Sequence, residues 1–261
     1  MLGGKYTYII CFGLINALCL WEFYSFALGK DFKRFWLRNI LAMLLGMTPY
    51  IYSGLVQMGF IGISLPSLLL ALFFFNLSFL VLCVIELFKT SANALAYLSF
   101  LMLGVIYISG AFTIFNFLAF KEEVYQLDIV TGIVLLVWTN DTAAYFVGSR
   151  LGKTPLFPRV SPKKTWEGSI GAAIITLIIA FPVSIVFPTF SFPIWLIITV
   201  IIFMTGGIGD LVESMFKRSI QLKDSSSLLP GHGGFLDRFD AFIFAVPFVA
   251  AFLVLYGEMV T

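Results

Sequence analysis

Apolar residues run along this chain in long unbroken stretches, not in the alternating or 3.6-residue patterns of elements that bury a single face. A helix needs about 17 to 25 mainly apolar residues to cross the hydrocarbon of a bilayer. Stretches of that length predict eight spans, at Tyr6–Leu28, Ile40–Leu65, Leu68–Phe88, Ala94–Phe120, Leu127–Gly148, Ser169–Phe187, Phe192–Phe216 and Ala241–Tyr256. Pro49 and Gly110 interrupt the second and fourth, which are expected to tilt or break there. The first stretch follows Lys5, as the apolar core of a cleaved leader would, yet it continues to Leu28 with aromatic residues throughout, so a retained span is expected. Nothing is left over for a soluble domain, and no repeat or low-complexity tract is visible. The pattern predicts an all-α, polytopic integral membrane bundle.

Composition agrees with that class: 60% of residues are hydrophobic and 11% charged. A net charge of +2 gives no basic field for nucleic acid, and the 30 Phe residues suit lipid contact better than base stacking. Cys11, Cys19 and Cys83 lie inside apolar runs without metal-ligand spacing and are read as free, buried thiols. The distribution of charge is more informative than its sum. Of the 16 Lys and Arg residues, fourteen fall in the segments 29–39, 89–93, 149–168 and 217–240, leaving Lys5 and Lys121 for the opposite side. The positive-inside rule then predicts that both termini lie outside and that the two long polar loops face the cytosol of a multi-pass protein of the cell or inner membrane.

Six carboxylates stand in or beside apolar segments of the C-terminal half: Asp141, Glu167, Asp210, Glu213, Asp237 and Asp240. An ionised group at a span centre costs about 2.5 to 3.5 kcal/mol on insertion scales, so such groups usually face a cavity or a partner. Asp210 and Glu213 are three residues apart with Lys217 one turn further, which puts all three on one helix face, and Asp237 and Asp240 repeat the spacing. Two short arcs of acid at one membrane surface can converge on a hard cation through oxygen ligands. The alternative is that these acids pair with Lys217, Arg218 and Arg238 as interfacial salt bridges, a reading that fits Glu213 and Asp240 better than Asp210 and Asp237. Glu22 and Glu86, near span ends without a polar cluster, are assigned no functional role.

Basic loops supply a complement for phosphate. Val160–Gly168 places Lys163 and Lys164 before a span, whose N-terminus also offers free N–H donors. Taken alone, the two lysines are equally explained by anionic lipid, but the surrounding Ser, Thr and Trp favour a binding loop. The segment Gly148–Thr154 imitates a P-loop, but has three residues where the Walker pattern needs four and follows a membrane helix instead of a strand, so an ATPase is excluded. After the seventh span, Lys217–Gly234 brings glycines around His232, the one histidine, where backbone can approach a ligand closely.

The stretch Ser214–Asp240 resembles the signature of the phosphatidate cytidylyltransferase (CDP-diacylglycerol synthase) family: Ser-x-apolar-Lys-Arg, then Lys-Asp, His-Gly-Gly and Asp-Arg-x-Asp. Ser214, Lys217, Arg218, Lys223, Asp224, His232, Gly233, Gly234, Asp237, Arg238 and Asp240 fall in register. Trp138, Asp141-Thr142, Gly152-Lys153 and Ser161–Gly168 resemble the family pattern upstream, in the right order. Ser226 and Ala241 stand where the family often has Gly and Ser, and Ala143 where Gly is common, which bears on substrate fine-tuning and not on reaction class. The resemblance covers about residues 130 to 245, so 1–120 are expected to be membrane helices without a motif and 121–261 to carry the catalytic helices and loops.

The resemblance implies transfer of CMP from CTP to phosphatidic acid, giving CDP-diacylglycerol and pyrophosphate at the cytosolic side of the C-terminal half. It implies Mg²⁺ as cofactor and allows a second cation such as K⁺; a homodimer is left open. In this reading Asp210 and Asp237 bind metal, assisted by Asp240, Glu213 and Asp141. Lys163, Lys164, Lys217, Arg218 and Lys223 hold phosphates, Arg238 the lipid head group or an acid, and Thr165, Ser214, Gly233 and Gly234 line the substrate site. Asp224 and His232 are the candidates for accepting a proton. Two other readings share part of this pattern: another CTP-dependent or prenyl-phosphate lipid transferase, and an ion-coupled transporter with acids at the midplane.

Overall fold

A computed structural model describes residues 4–29, 36–89, 94–121, 124–221 and 233–257. Eight of its helices are long and apolar enough to span a membrane: α1 (Lys5–Ala27), α2 (Trp36–Met58), α3 (Leu65–Lys89), α4 (Ala94–Leu118), α5 (Leu127–Leu151), α6 (Trp166–Val186), α7 (Phe192–Ser219) and α8 (Leu236–Leu255). The expected spans are all present. Two short antiparallel hairpins, β1 (Phe120–Lys121) with β2 (Val124–Tyr125) and β3 (Pro155–Phe157) with β4 (Ser161–Thr165), interrupt the helical order. The chain divides into two compact units, Met1–Tyr125 with Asp224–Leu236, and Gln126–Lys223 with Asp237–Thr261.

In the first unit, the expected interruptions take different forms. Helix α2 runs unbroken through Pro49, whereas α4 relaxes into a π-helical turn over Val105–Ser109, immediately before Gly110. Without water, polar side chains inside a span must find partners in neighbouring helices. Asn16 of α1 accordingly donates to Ser109 at 3.1 Å, Asn116 of α4 donates to Ser53 of α2 at 2.9 Å, and the Tyr50 hydroxyl donates to the Ile9 carbonyl at 2.8 Å. Arg38, expected in a loop, lies inside α2, where its guanidinium bonds Glu86 of α3 at 2.9 Å and covers the Tyr97 ring. Only Leu82 and Glu86 of α3 are fully buried; Ala71, Phe75, Ser78 and Phe79 are half-buried, and most of its other side chains are exposed, as on a span with a broad lipid-facing surface.

The second unit is set by glycines at helix crossings. Trp195 of α7, its indole N–H bonded to the Phe187 carbonyl at 3.0 Å, packs where a Cβ on Gly132 of α5 would stand. A Cβ on Gly168 of α6 would lie 3.0 Å from the Cα of Gly148 on α5, so these backbones meet face to face. On α7, a Cβ on Gly209 would fall 2.5 Å from the Phe244 Cβ and 2.9 Å from the Asp240 carbonyl of α8. Such small-residue contacts let membrane helices approach closely. Here they bring the charged ends of α5, α6, α7 and α8 together.

Candidate active site

Each charged group in the second unit is placed by its element. Helix α8 starts at Leu236, five residues before the expected boundary at Ala241, so Asp237 and Asp240 stand in its first turns and not in a loop. Helix α7 continues to Ser219 and keeps Asp210, Glu213 and Lys217 in regular helix, on the shared face their spacing predicts. The Lys217 ammonium lies 2.8 Å from Glu213 Oε2 and 2.6 Å from Asp237 Oδ1, joining the two acidic arcs through one cation. Glu213 is 1% exposed and its carboxylate oxygens take no aligned hydrogen bond. Asp240, also buried, accepts the N–H of Ala241 at 2.7 Å and lies in electrostatic reach of Asp210, Glu213 and Asp141.

The lysine loop arrives from the other side as structure that the sequence pattern does not reveal. Lys163 and Lys164 stand on β4, paired with β3 in the register Pro155↔Thr165 and Phe157↔Ser161. Lys164 forms an ion pair with Asp210, which also accepts from the Ser214 hydroxyl at 3.4 Å. Thr165 is the N-cap of α6, its hydroxyl accepting the N–H of Gly168 at 3.2 Å. Glu167 bonds the N–H groups of Lys153 and Thr154 at 3.0 and 3.1 Å, so this carboxylate pins the β3 side of the hairpin. Residues 148–151 of the P-loop imitation form the last turn of α5.

Between α5, α6, α7 and the β3–β4 hairpin lies a cavity of about 400 Å³, within the range of small-ligand sites. Asp141, Lys163, Lys164, Thr165 and Asp210 line it, as do Asn140, Tyr145, Ser149, Phe203, Gly206 and Gly207. Sequence reasoning missed the second group; the adjacent glycines Gly206-Gly207 ahead of Asp210 were the one signal, and of the two it is Gly207 whose backbone faces open space, while Gly206 lies against Ala241 of α8. Arg218 is turned to the hairpin, its Nε donating to the Val160 carbonyl at 3.4 Å. Arg238 lies in electrostatic reach of Asp141. Gly233 and Gly234 belong to the first unit, and Gly233 has φ +79°, a backbone that favours glycine. Lys223, Asp224 and His232 lie outside the described residues.

Three carboxylates, those of Asp210, Glu213 and Asp237, thus share two ammonium groups, and Asp141 and Asp240 add negative charge close by. Among the described residues no three carboxylate, histidine or cysteine groups form a ready ligand cluster, because Lys164 and Lys217 are interposed. The donor set nevertheless fits a hard cation: the carboxylates of Asp210, Glu213 and Asp237 outnumber the two ammonium groups they share, and the buried Oε1 of Glu213 takes no hydrogen bond. The lysines and the cavity they line fit a phosphate-bearing ligand.

Comparison with known proteins gives the same direction. Residues 1–256 match the model described as the cytidylyltransferase family. A phosphatidate cytidylyltransferase of Staphylococcus haemolyticus is 35% identical over 258 residues, covering 97% of this chain and 92% of the relative. The protein of that name from Bacillus subtilis is 40% identical over 159 residues, 60% of this chain and 59% of its own. The one from Staphylococcus saprophyticus is 38% identical over 190 residues, 71% and 68% of the two chains. The match includes the N-terminal spans, for which the sequence offers no motif, and extends through the acidic and basic groups joined by Lys164 and Lys217: the chain belongs to the cytidylyltransferase family.

Proposed function

We infer that this protein transfers CMP from CTP to phosphatidic acid, yielding CDP-diacylglycerol and pyrophosphate. The observation that carries this reading is the nucleotide-sized cavity with Lys163, Lys164, Asp141 and Asp210 on its walls, in a chain that matches phosphatidate cytidylyltransferases along its length. A phosphate oxygen of the lipid attacks the α-phosphorus of CTP, and the bond from that phosphorus to the bridging oxygen breaks, releasing pyrophosphate. Two anions must meet, so the site has to cancel their repulsion and hold them in line. Lys163 and Lys164 bind phosphate oxygens in the cavity, and Lys217 stands ready on the α7–α8 side. Arg238 accompanies the lipid head group. No covalent nucleophile is required.

Asp210 and Asp237 would hold Mg²⁺, with Glu213, Asp240 and Asp141 adding negative charge; K⁺ is compatible with the same oxygen donors. When bound, a divalent cation supplies charge neutralisation for the triphosphate and for the leaving pyrophosphate. The site opens to the cytosolic leaflet, where CTP is found and where the positively charged loops are expected, while the acyl chains stay in lipid.

The test is incubation of the purified protein with CTP, Mg²⁺ and phosphatidic acid, following pyrophosphate release and a nucleotide-linked lipid. Both products should appear together, should require phosphatidic acid over prenyl phosphates, and should vanish with EDTA. Product formation on a prenyl phosphate alone would reassign the acceptor, and no pyrophosphate with any lipid would reject the reaction. Asp237→Asn should abolish transfer while the protein remains inserted; near-normal turnover would reject the metal assignment.

A further inference from the structure

Glu22 lies in α1, in the part of the chain that carries no motif, and is 1% exposed. A buried carboxylate needs partners, and this one has backbone donors: the N–H of Phe235 at 3.0 Å from Oε1 and that of Leu236 at 2.8 Å from Oε2. These amides open α8, where the first N–H groups of a helix have no intrahelical acceptor. An acceptor there is usually a Ser, Thr, Asp or Asn at the N-cap, but position 235 is Phe and cannot serve. The acceptor comes instead from a residue 213 positions away in sequence. Its negative charge suits the positive end of the helix dipole. Gly233, with φ +79°, turns the chain into this anchor, and Glu22, Gly233, Phe235 and Leu236 all belong to the same unit.

The residue after Leu236 is Asp237, the acid that contacts Lys217. We propose that Glu22 is a positioning residue for the reaction: by holding the Phe235 and Leu236 amides it fixes the first turn of α8, and with it the placement of Asp237 and Asp240. This rests on the reading of Asp237 as a metal-binding acid. It gives the N-terminal spans an indirect part in the reaction, through one carboxylate and the peptide bond that follows its anchor. Glu22 touches no reacting atom in this scheme and acts through the Phe235 and Leu236 amides.

The test uses the full chain with Glu22→Ala and Glu22→Gln. Amide hydrogen exchange over residues 233–240 reads the anchor, while kcat, the KM for CTP and the Mg²⁺ concentration giving half-maximal turnover read its consequence. In Glu22→Ala, exchange over 235–240 should accelerate by about tenfold, the loss expected for a helix cap. The kcat should fall by roughly tenfold to a hundredfold and half-saturation should move to higher Mg²⁺, because the acids are no longer held in place. The KM for CTP and exchange in α3 should change little. Glu22→Gln, which keeps one carbonyl acceptor, should fall between the wild type and Ala in every readout. Unaltered exchange over 235–240, or altered exchange with wild-type kcat and Mg²⁺ dependence, overturns the proposal. So does a general loss of protection in all helices that Gln suffers as badly as Ala, since that marks a purely structural role. Asp237→Asn assayed alongside separates the two readings: turnover retained in that variant defeats the metal assignment, whereas the exchange result tests Glu22 alone.

Discussion

Replacing Gly209 with alanine adds one methyl group at the point where α7 and α8 touch. The new Cβ would stand 2.5 Å from the Phe244 Cβ and 2.9 Å from the carbonyl oxygen of Asp240. Non-bonded carbon atoms settle at about 3.5 to 4.0 Å, so the helices must part by about 1 Å. Asp240 presents backbone at this contact, which cannot rotate aside as the end of a long side chain could. Overpacking of this kind costs roughly 1 to 3 kcal/mol of stability. The catalytic effect should be larger than the loss of stability, because Asp210 follows Gly209 directly and Asp240 belongs to the opposing surface. A 1 Å misplacement of reacting groups lowers turnover by about a hundredfold. The assay is the initial rate of CDP-diacylglycerol formation at saturating CTP and phosphatidic acid, with thermal unfolding of the same preparation in detergent. Gly62→Ala, at a position with no atom within 4 Å of the added Cβ, is the control and should match the wild type. Turnover of Gly209→Ala within about twofold of wild type would refute the claim that this close crossing sets the spacing of the acids.

Arg38→Met should destabilise the protein by about 3 to 5 kcal/mol, because it leaves the buried Glu86 carboxylate without its cation, and combining it with Glu86→Met should recover most of that loss; equal thermal midpoints for the single and double variants would contradict the pairing. Glu167→Ala releases the Lys153 and Thr154 amides and should loosen the hairpin that carries Lys163 and Lys164. Its expected signature is a rise of about tenfold in the KM for CTP with little change in thermal midpoint, and an unchanged KM would show that the hairpin holds its shape without this carboxylate.

The membrane architecture was legible because bilayer thickness imposes a minimum length on every apolar run, and each of the eight runs satisfies it. The boundaries were less legible where charge and helix coincide. Asp237, Arg238 and Asp240 read as loop, yet they occupy the first turns of α8, since acids at a helix N-terminus are favoured by its free N–H groups. Arg38 also read as loop; only the position of Glu86 on another span shows why it can be buried. The β3–β4 hairpin escaped notice because Ser161–Thr165 has no alternation of apolar and polar residues, and its pairing is fixed by the neighbouring strand. The role of Glu22 is hidden for the same kind of reason: it bonds the backbone amides of Phe235 and Leu236, which no side-chain pattern can announce.

In the candidate site, residue types and local spacing were readable, but pairings across spans were not. The helical repeat put Glu213 and Lys217 on one face, and the structure joins them. Nothing in the spacing could say that Lys217 would also meet Asp237, or that Lys164 would meet Asp210. Those contacts depend on how closely the helices approach, which in this chain is decided by glycines: Gly148 against Gly168 for α5 and α6, and Gly209 against α8. Charges are tolerated in these apolar segments because Asp210, Glu213 and Asp237 each meet an ammonium group, Asp141 faces the cavity and Asp240 accepts a backbone N–H, and how closely the helices bring these groups is set by the absence of a Cβ on a neighbouring turn. The glycines of the second unit are therefore part of the electrostatics of the site. A substitution that leaves every charged residue in place can still separate the acids from the lysines, and the Gly209→Ala variant isolates that effect from any change of charge.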